Sequence, residues 1–174
     1  MIAAAIVCAA CISQAAQVAW GNTTASKLAD LTGATMTAAN ATAYALSVSL
    51  VDAEGNAVIT STGINNMSAG VLSGNTNWSY TFGDGEGEYN TGDLFSIVAT
   101  MTVAGQQYEM VVAENLAITA QNNSGTDTFS WAAGSYGGLS ETPTVGKWSA
   151  VPEPTSGLLM LLGMAGLALR RKQA

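Results

Sequence analysis

The sequence predicts an all-β domain, an antiparallel β-sandwich or jelly-roll-like fold over residues 16–150 of a 174-residue chain. Three observations carry that prediction. Apolar and small polar residues alternate over Tyr44–Val51 and again over Asn77–Phe82, the period of two that a half-buried strand needs. A long β-rich run, Leu94–Val103, reaches Ala104-Gly105-Gln106 and is followed by a second run, Gln107–Ala113, as in a hairpin. Asp, Glu, Lys and Arg make up only 10% of the residues, against about 25% in an average soluble protein. Polarity comes instead from Ser, Thr, Asn, Gln and Gly, which suit strands and turns more than exposed helices.

Taken in order, Thr23–Ala43 is Ala-rich, with a short helix expected around Ser26–Leu31. Tyr44–Val51 puts Leu46, Val48 and Leu50 on one face, and these are expected in the core with Ile97 and Val111. Asp52-Ala53-Glu54-Gly55-Asn56 supplies turn chemistry, and Ala57–Thr60 returns as a hairpin partner. Asn77–Phe82 sets Trp78, Tyr80 and Phe82 on one face. Leu116–Thr119 and Thr126–Trp131 read as shorter strands, and Gly134–Thr144, rich in Gly and Ser with Pro143, reads as the approach to a linker.

The N-terminal residues 1–15 read as a signal peptide. Ile2–Ile12 is apolar and is followed by Ser13-Gln14-Ala15, small residues spaced as signal peptidase requires. Cleavage is expected after Ala15 or Ala16. No Lys or Arg precedes the apolar run. Cys8 and Cys11 are the only cysteines and both lie within it, so the processed domain has no disulfide, thiolate nucleophile or Cys ligand. Lipidation at Cys11 is disfavoured, because Val7-Cys8-Ala9-Ala10 lacks the Leu of a good lipobox.

The C-terminal residues 151–174 combine three elements. Val151-Pro152-Glu153-Pro154 comes first, and its prolines fix φ and remove two backbone donors, keeping the chain extended. An apolar run, Gly157–Leu169, follows within a helix expected over 156–169. Arg170-Arg171-Lys172 ends it, a basic cluster that the positive-inside rule holds at the cytoplasmic face. Thirteen helical residues span only about 20 Å, short of the ~30 Å hydrocarbon core. Such a segment fits a transient stop-transfer element better than a permanent anchor.

This order of elements resembles the PEP-CTERM sorting domain of Gram-negative exported proteins, over the last two dozen residues and none of the central domain. The resemblance implies recognition by an exosortase, a membrane transpeptidase thought to cut near the Pro-Glu-Pro motif. It also implies a passage through the inner membrane and association with the cell surface, the extracellular matrix and exopolysaccharide. With the leader, it implies the general secretion machinery and signal peptidase as earlier partners.

For the central domain, composition excludes more than it assigns. Residues 16–151 hold eleven acidic and two basic side chains, which leaves −9, a charge that repels phosphate backbones and excludes nucleic-acid partners. The chain has no His, which removes the common general base and most zinc sites. A two-carboxylate glycosidase needs no His and stands as a remote alternative. Asp84, Glu86, Glu88 and Asp93 lie in the Gly-rich segment 83–93, where oxygen ligands on a turning loop could take Ca²⁺. The EF-hand pattern fails there, with Tyr89 at the Gly position and Phe95 at the bidentate Glu position. The other reading of 83–93 is a charged turn between strands. No other cofactor is expected. Trp78, Trp131, Tyr136 and Trp148 could stack on sugars or fill the core. The leading expectation is a non-enzymatic surface or matrix protein; the alternative is a carbohydrate-binding module on extracellular glycan.

Overall fold

The computed structural model describes residues 15–73, 77–120 and 125–152. The expectations that fall on Ser13, Glu153, Pro154, the apolar run and Arg170-Arg171-Lys172 lie outside the described residues. The elements in chain order are β1 (Ala16–Gly21), β2 (Ser26–Leu28), α1 (Ala38–Ala43), β3 (Ser47–Val51), β4 (Ala57–Thr62), β5 (Asn77–Phe82) and β6 (Glu88–Tyr89). They continue with β7 (Leu94–Val103), β8 (Gln106–Ala117), β9 (Thr126–Ser130), β10 (Gly134–Tyr136) and β11 (Ser149–Ala150). The fold is mostly β, as the alternation predicts.

A five-stranded sheet runs β11-β8-β7-β3-β4 and is antiparallel at every neighbouring pair. Two turns set its registers. In the β3–β4 hairpin the Asp52 carboxylate accepts the Asn56 backbone N–H at 2.7 Å, and Gly55 takes φ +86°. In the β7–β8 hairpin Ala104 and Gly105 take φ +51° and +85° in succession, as a two-residue turn matched to strand twist requires. A four-stranded sheet runs β6-β5-β1-β9, and a two-stranded one pairs β10 with β2. Here the wholly antiparallel expectation needs correction: β1 pairs β5 antiparallel, but β1–β9, β5–β6 and β10–β2 are parallel. Parallel neighbours ordinarily need a long crossover; the two-residue β6, reached from β5 through residues 83–87 alone, departs from that. The chain between β1 and β9 supplies such a crossover, with β3, β4, β7 and β8 of the five-stranded sheet within it.

Buried side chains of both larger sheets form a single hydrophobic cluster, with Val18 and Trp20 from β1, Val48 and Leu50 from β3, Phe95, Ile97 and Met101 from β7, and Phe129 from β9. Each such burial contributes about 1.5–3 kcal/mol. Leu46, Val48, Leu50 and Ile97 are buried as expected. Val111 is only half-buried, and Met110 and Val112 point inward instead. Met110-Val111-Val112-Ala113 has no alternation from which to read a face. A register irregularity opposite Ile97 moves the pairing from Val98↔Val111 to Ile97↔Ala113.

Two local expectations are overturned. Ser26–Leu28 is strand rather than helix. The Leu28 N–H donates to the Gly70 carbonyl and its own carbonyl accepts from the Met36 N–H, both at 2.9 Å. The Asn22 amide donates to the Ser26 and Gly70 carbonyls and accepts the Leu72 N–H. Tertiary bonding of this kind outweighs a weak helical propensity. The helix forms at Ala38–Ala43, where the Thr37 hydroxyl caps the Asn40 N–H. Gly134–Thr144 is no linker: β10 lies within it, and Leu139 bridges Trp148, which is 0% exposed.

Candidate functional site

Two regions stand out. The first is the end of the domain. Trp148 is fully buried and its indole N–H donates to the Ala29 carbonyl at 2.8 Å. The next two residues form β11 on the edge of β8, with Ser149 opposite Glu109 and Ala150 opposite Tyr108. The Val151 N–H donates to the Gln107 carbonyl, and the Gln106 side-chain amide donates to the Val151 carbonyl at 2.8 Å. Pro152 is exposed and has no N–H, so ladder bonding stops where the Val151-Pro152 motif begins. At the other end of the domain, Ala15 is exposed and Ala16 is buried as the first residue of β1, paired with Tyr80.

The second region is a groove of about 470 Å³ between the β3–β4 turn and the β5–β6 segment, lined by Asp52, Asn56, Ala57, Val58, Trp78, Glu86, Gly87 and Tyr89. The two turns that build it have clear local causes. Asp52 accepts from the Asn56 backbone and side-chain N–H groups and, at 3.3 Å, from the Tyr89 hydroxyl. Burial pushes the Tyr89 phenol above its ordinary value, and the charge and hydrogen bond of Asp52 push it the same way. Gly83–Gly87 curls so that the Glu88 carboxylate accepts the Gly85 N–H at 2.9 Å. A Cβ at Gly83 would strike that carboxylate. Trp78 stacks on Tyr80 at 5.1 Å and meets Tyr89 edge-on at 5.1 Å. Phe95 contacts both Trp78 and Tyr89, tying the groove floor to β7.

The four acidic residues of the 83–93 segment separate into different roles. Asp84 accepts from the Asn90 amide, Asp93 from the Asn90 N–H, and Glu88 from Gly85, so three of them hold the loop. Glu86 alone lines the groove. Among the described residues no group of three or more such side chains is placed to hold a metal ion. The groove instead joins Glu86 to Asp52, a residue that sequence reasoning assigned only to a turn.

The aromatic residues are spent largely on packing. Trp131 is 7% exposed and donates to the Ser26 carbonyl, and Tyr136 is half-buried with its hydroxyl on the Ala132 carbonyl. All four Trp, five Tyr and three Phe are buried or half-buried, so no flat, fully exposed row of rings exists. Of the three tryptophans considered for sugar stacking, Trp78, half-buried at the groove, is the one outside the buried core. No helix among the described residues is long and apolar enough to cross a membrane.

No curated protein and no solved structure matches the chain. A family model does match, over residues 150–172. Its boundary falls at Ala150, the last residue of β11, so the folded domain and the matched tail meet end to end. The chain carries a PEP-CTERM protein-sorting motif.

Proposed function

We propose that this is an exported, non-enzymatic surface or matrix protein of a Gram-negative bacterium, whose two larger sheets form a β-sandwich ectodomain associated with exopolysaccharide. The observation that carries the reading is the sorting motif at 150–172, starting where the β11 ladder ends. In this reading the general secretion machinery exports the chain and signal peptidase removes the leader. The bond after Ala15 is favoured, because a cut after Ala16 would remove the buried first residue of β1. The tail pauses in the inner membrane, with Arg170-Arg171-Lys172 on the cytoplasmic side. An exosortase then cuts near Pro152-Glu153-Pro154.

The carbohydrate-binding alternative is supported by the groove, which offers a Trp ring beside hydrogen-bonding side chains. The glycosidase alternative has less support. Asp52 and Glu86 share the groove, but Asp52 already accepts three hydrogen bonds that hold the β3–β4 turn and the Tyr89 hydroxyl, which leaves about one of a carboxylate's four acceptor sites, and Glu86 is exposed. Intact-mass measurement of the protein from its native host tests the main reading. The expected mass lacks the leader and everything after the Pro-Glu-Pro motif. A mass that retains Ser156–Ala174 makes the tail a simple anchor and overturns sorting by cleavage.

A further inference from the structure

The groove has a chemical bias and a position, and together they narrow its ligand. Its charged side chains are Asp52 and Glu86, with no Lys or Arg in the lining. The rings of Trp78 and Tyr89, set edge to face, form the apolar part of the wall together with Ala57 and Val58. The only basic residues of the domain, Lys27 and Lys147, lie elsewhere, in a domain of net charge −9. A site that pairs aromatic faces with unneutralised carboxylates favours an organic cation, through charge attraction and through attraction of the ammonium to the ring faces.

The position follows from strand register. The β3–β4 turn lies next to Val51, which pairs with Ser96 of β7. The chain leaves the domain at Val151, bonded to Gln107, and Gln107 pairs with Thr102 at the other end of β7. Six residues of extended strand separate the two levels, roughly 20 Å at about 3.3 Å each. The groove therefore opens at the pole away from the point where the chain leaves the domain, at Val151.

We infer that this distal groove binds amino-sugar units of an extracellular glycan, with a ring-borne primary ammonium between Asp52 and Glu86 and the sugar's C–H face on Trp78. The inference rests on the exopolysaccharide reading above and specifies which glycan the domain prefers. A neutral sugar would gain nothing from the two charges, and an acidic one would be repelled.

The test uses the full chain in mild detergent and three hexamers of equal length, of glucosamine, N-acetylglucosamine and glucose, titrated by calorimetry. The expected result is binding of the glucosamine hexamer at least tenfold tighter than either neutral hexamer, weakening as salt is added. Glu86→Gln, at an exposed position that the fold does not need, should weaken it about fivefold, the upper range for an exposed ion pair. Glu141→Gln, an exposed acid away from the groove, should leave it unchanged. Equal loss in both variants would mean diffuse attraction to an acidic protein and overturn the site. Equal binding of all three hexamers would overturn the ammonium preference and leave glycan association standing. No binding of any hexamer would overturn both, while export and sorting would still be judged by the mass measurement.

Discussion

Replacing Gly70 by Ala should cost about 2–4 kcal/mol of folding stability. Gly70 is buried at φ +77°, and its carbonyl accepts from both the Leu28 N–H and the Asn22 amide. A Cβ there would sit 2.8 Å from the Leu28 carbonyl oxygen, 2.8 Å from Lys27 Cβ and 3.1 Å from Thr35 Cγ2. The left-handed backbone costs an L-residue about 1–2 kcal/mol. Overpacking against backbone adds about 1–3 kcal/mol. The stiffer unfolded chain returns about 0.4–1 kcal/mol. Gly33 provides the control, since it has φ +85° but no atom within 4 Å of the added Cβ, so Gly33→Ala isolates the backbone cost of about 1 kcal/mol. Urea denaturation followed by tryptophan fluorescence should give a lower midpoint for Gly70→Ala at unchanged slope. If Gly70→Ala costs no more than Gly33→Ala, the packing of Gly70 onto β2 is not as described.

Three further predictions follow from single groups. Tyr80 is buried with no hydrogen-bond partner for its hydroxyl among the described residues, and burial first, then the charges of Asp127 and Asp93, raise its pKa to about 12. Because that folded value lies above the unfolded value near 10, stability is intact below pH 10 and is lost as pH rises toward 12. Tyr80→Phe should remove this alkaline loss and raise stability by about 1 kcal/mol; a drop of that size in a urea melt would mean the hydroxyl is satisfied. Burial pushes the Asp30 carboxyl up, but hydrogen bonds from Thr32, Ala34 and Gly33 outweigh it and hold it below its ordinary 3.8. Its contribution is therefore present above pH 3.8 and lost as pH falls below it, and Asp30→Asn should flatten the acid limb of the stability curve. With Asp84, Glu88 and Asp93 already accepting protein hydrogen bonds, millimolar Ca²⁺ should leave the melting temperature unchanged; a rise would restore the metal reading of that loop.

The parts of the fold that were legible in the sequence have a local cause. β3 and β5 alternate cleanly, Asp52 to Asn56 carries its own turn hydrogen bonds, and Ala104-Gly105 reverses the chain between two long β-rich runs. The parts that were not legible depend on distant partners. β2 is three residues held by Asn22 and by Gly70, some forty positions away. β1 does alternate, with Ala16, Val18 and Trp20 buried, and this signal was readable. Its role at the centre of the four-stranded sheet was not, because β5 and β9 reach it from far along the chain. β8 shows the limit of periodicity, since four consecutive apolar residues carry no face, and the register running from the Ala104-Gly105 turn, which sets Met110 opposite buried Ala99, decides which point inward. Trp148 reads in the sequence as an aromatic that could stack on sugars or fill the core, and its seat against the Ala29 carbonyl, 119 positions earlier, decides for the core. The groove has the same character, with Asp52 and Glu86 in separate turns that only the packing of the two sheets brings together.

The border between domain and tail divides the work between a strong contact and a weak one. β11 offers two ladder pairs on an exposed edge, and Val151 adds two hydrogen bonds. At about 1 kcal/mol net per hydrogen bond, this stretch can fray at a cost of a few kcal/mol. Trp148, immediately before it, is fully buried and hydrogen-bonded to Ala29, and removing a buried tryptophan from a core costs about 3–5 kcal/mol by itself. A processing enzyme that needs extended chain around Pro152 can therefore peel Ser149–Val151 from β8 while Trp148 stays seated. Pro152 sharpens the boundary, because a residue with no N–H cannot extend the β11 ladder. The groove lies at the opposite end of β7 and shares none of these contacts, so fraying at the tail leaves its shape intact.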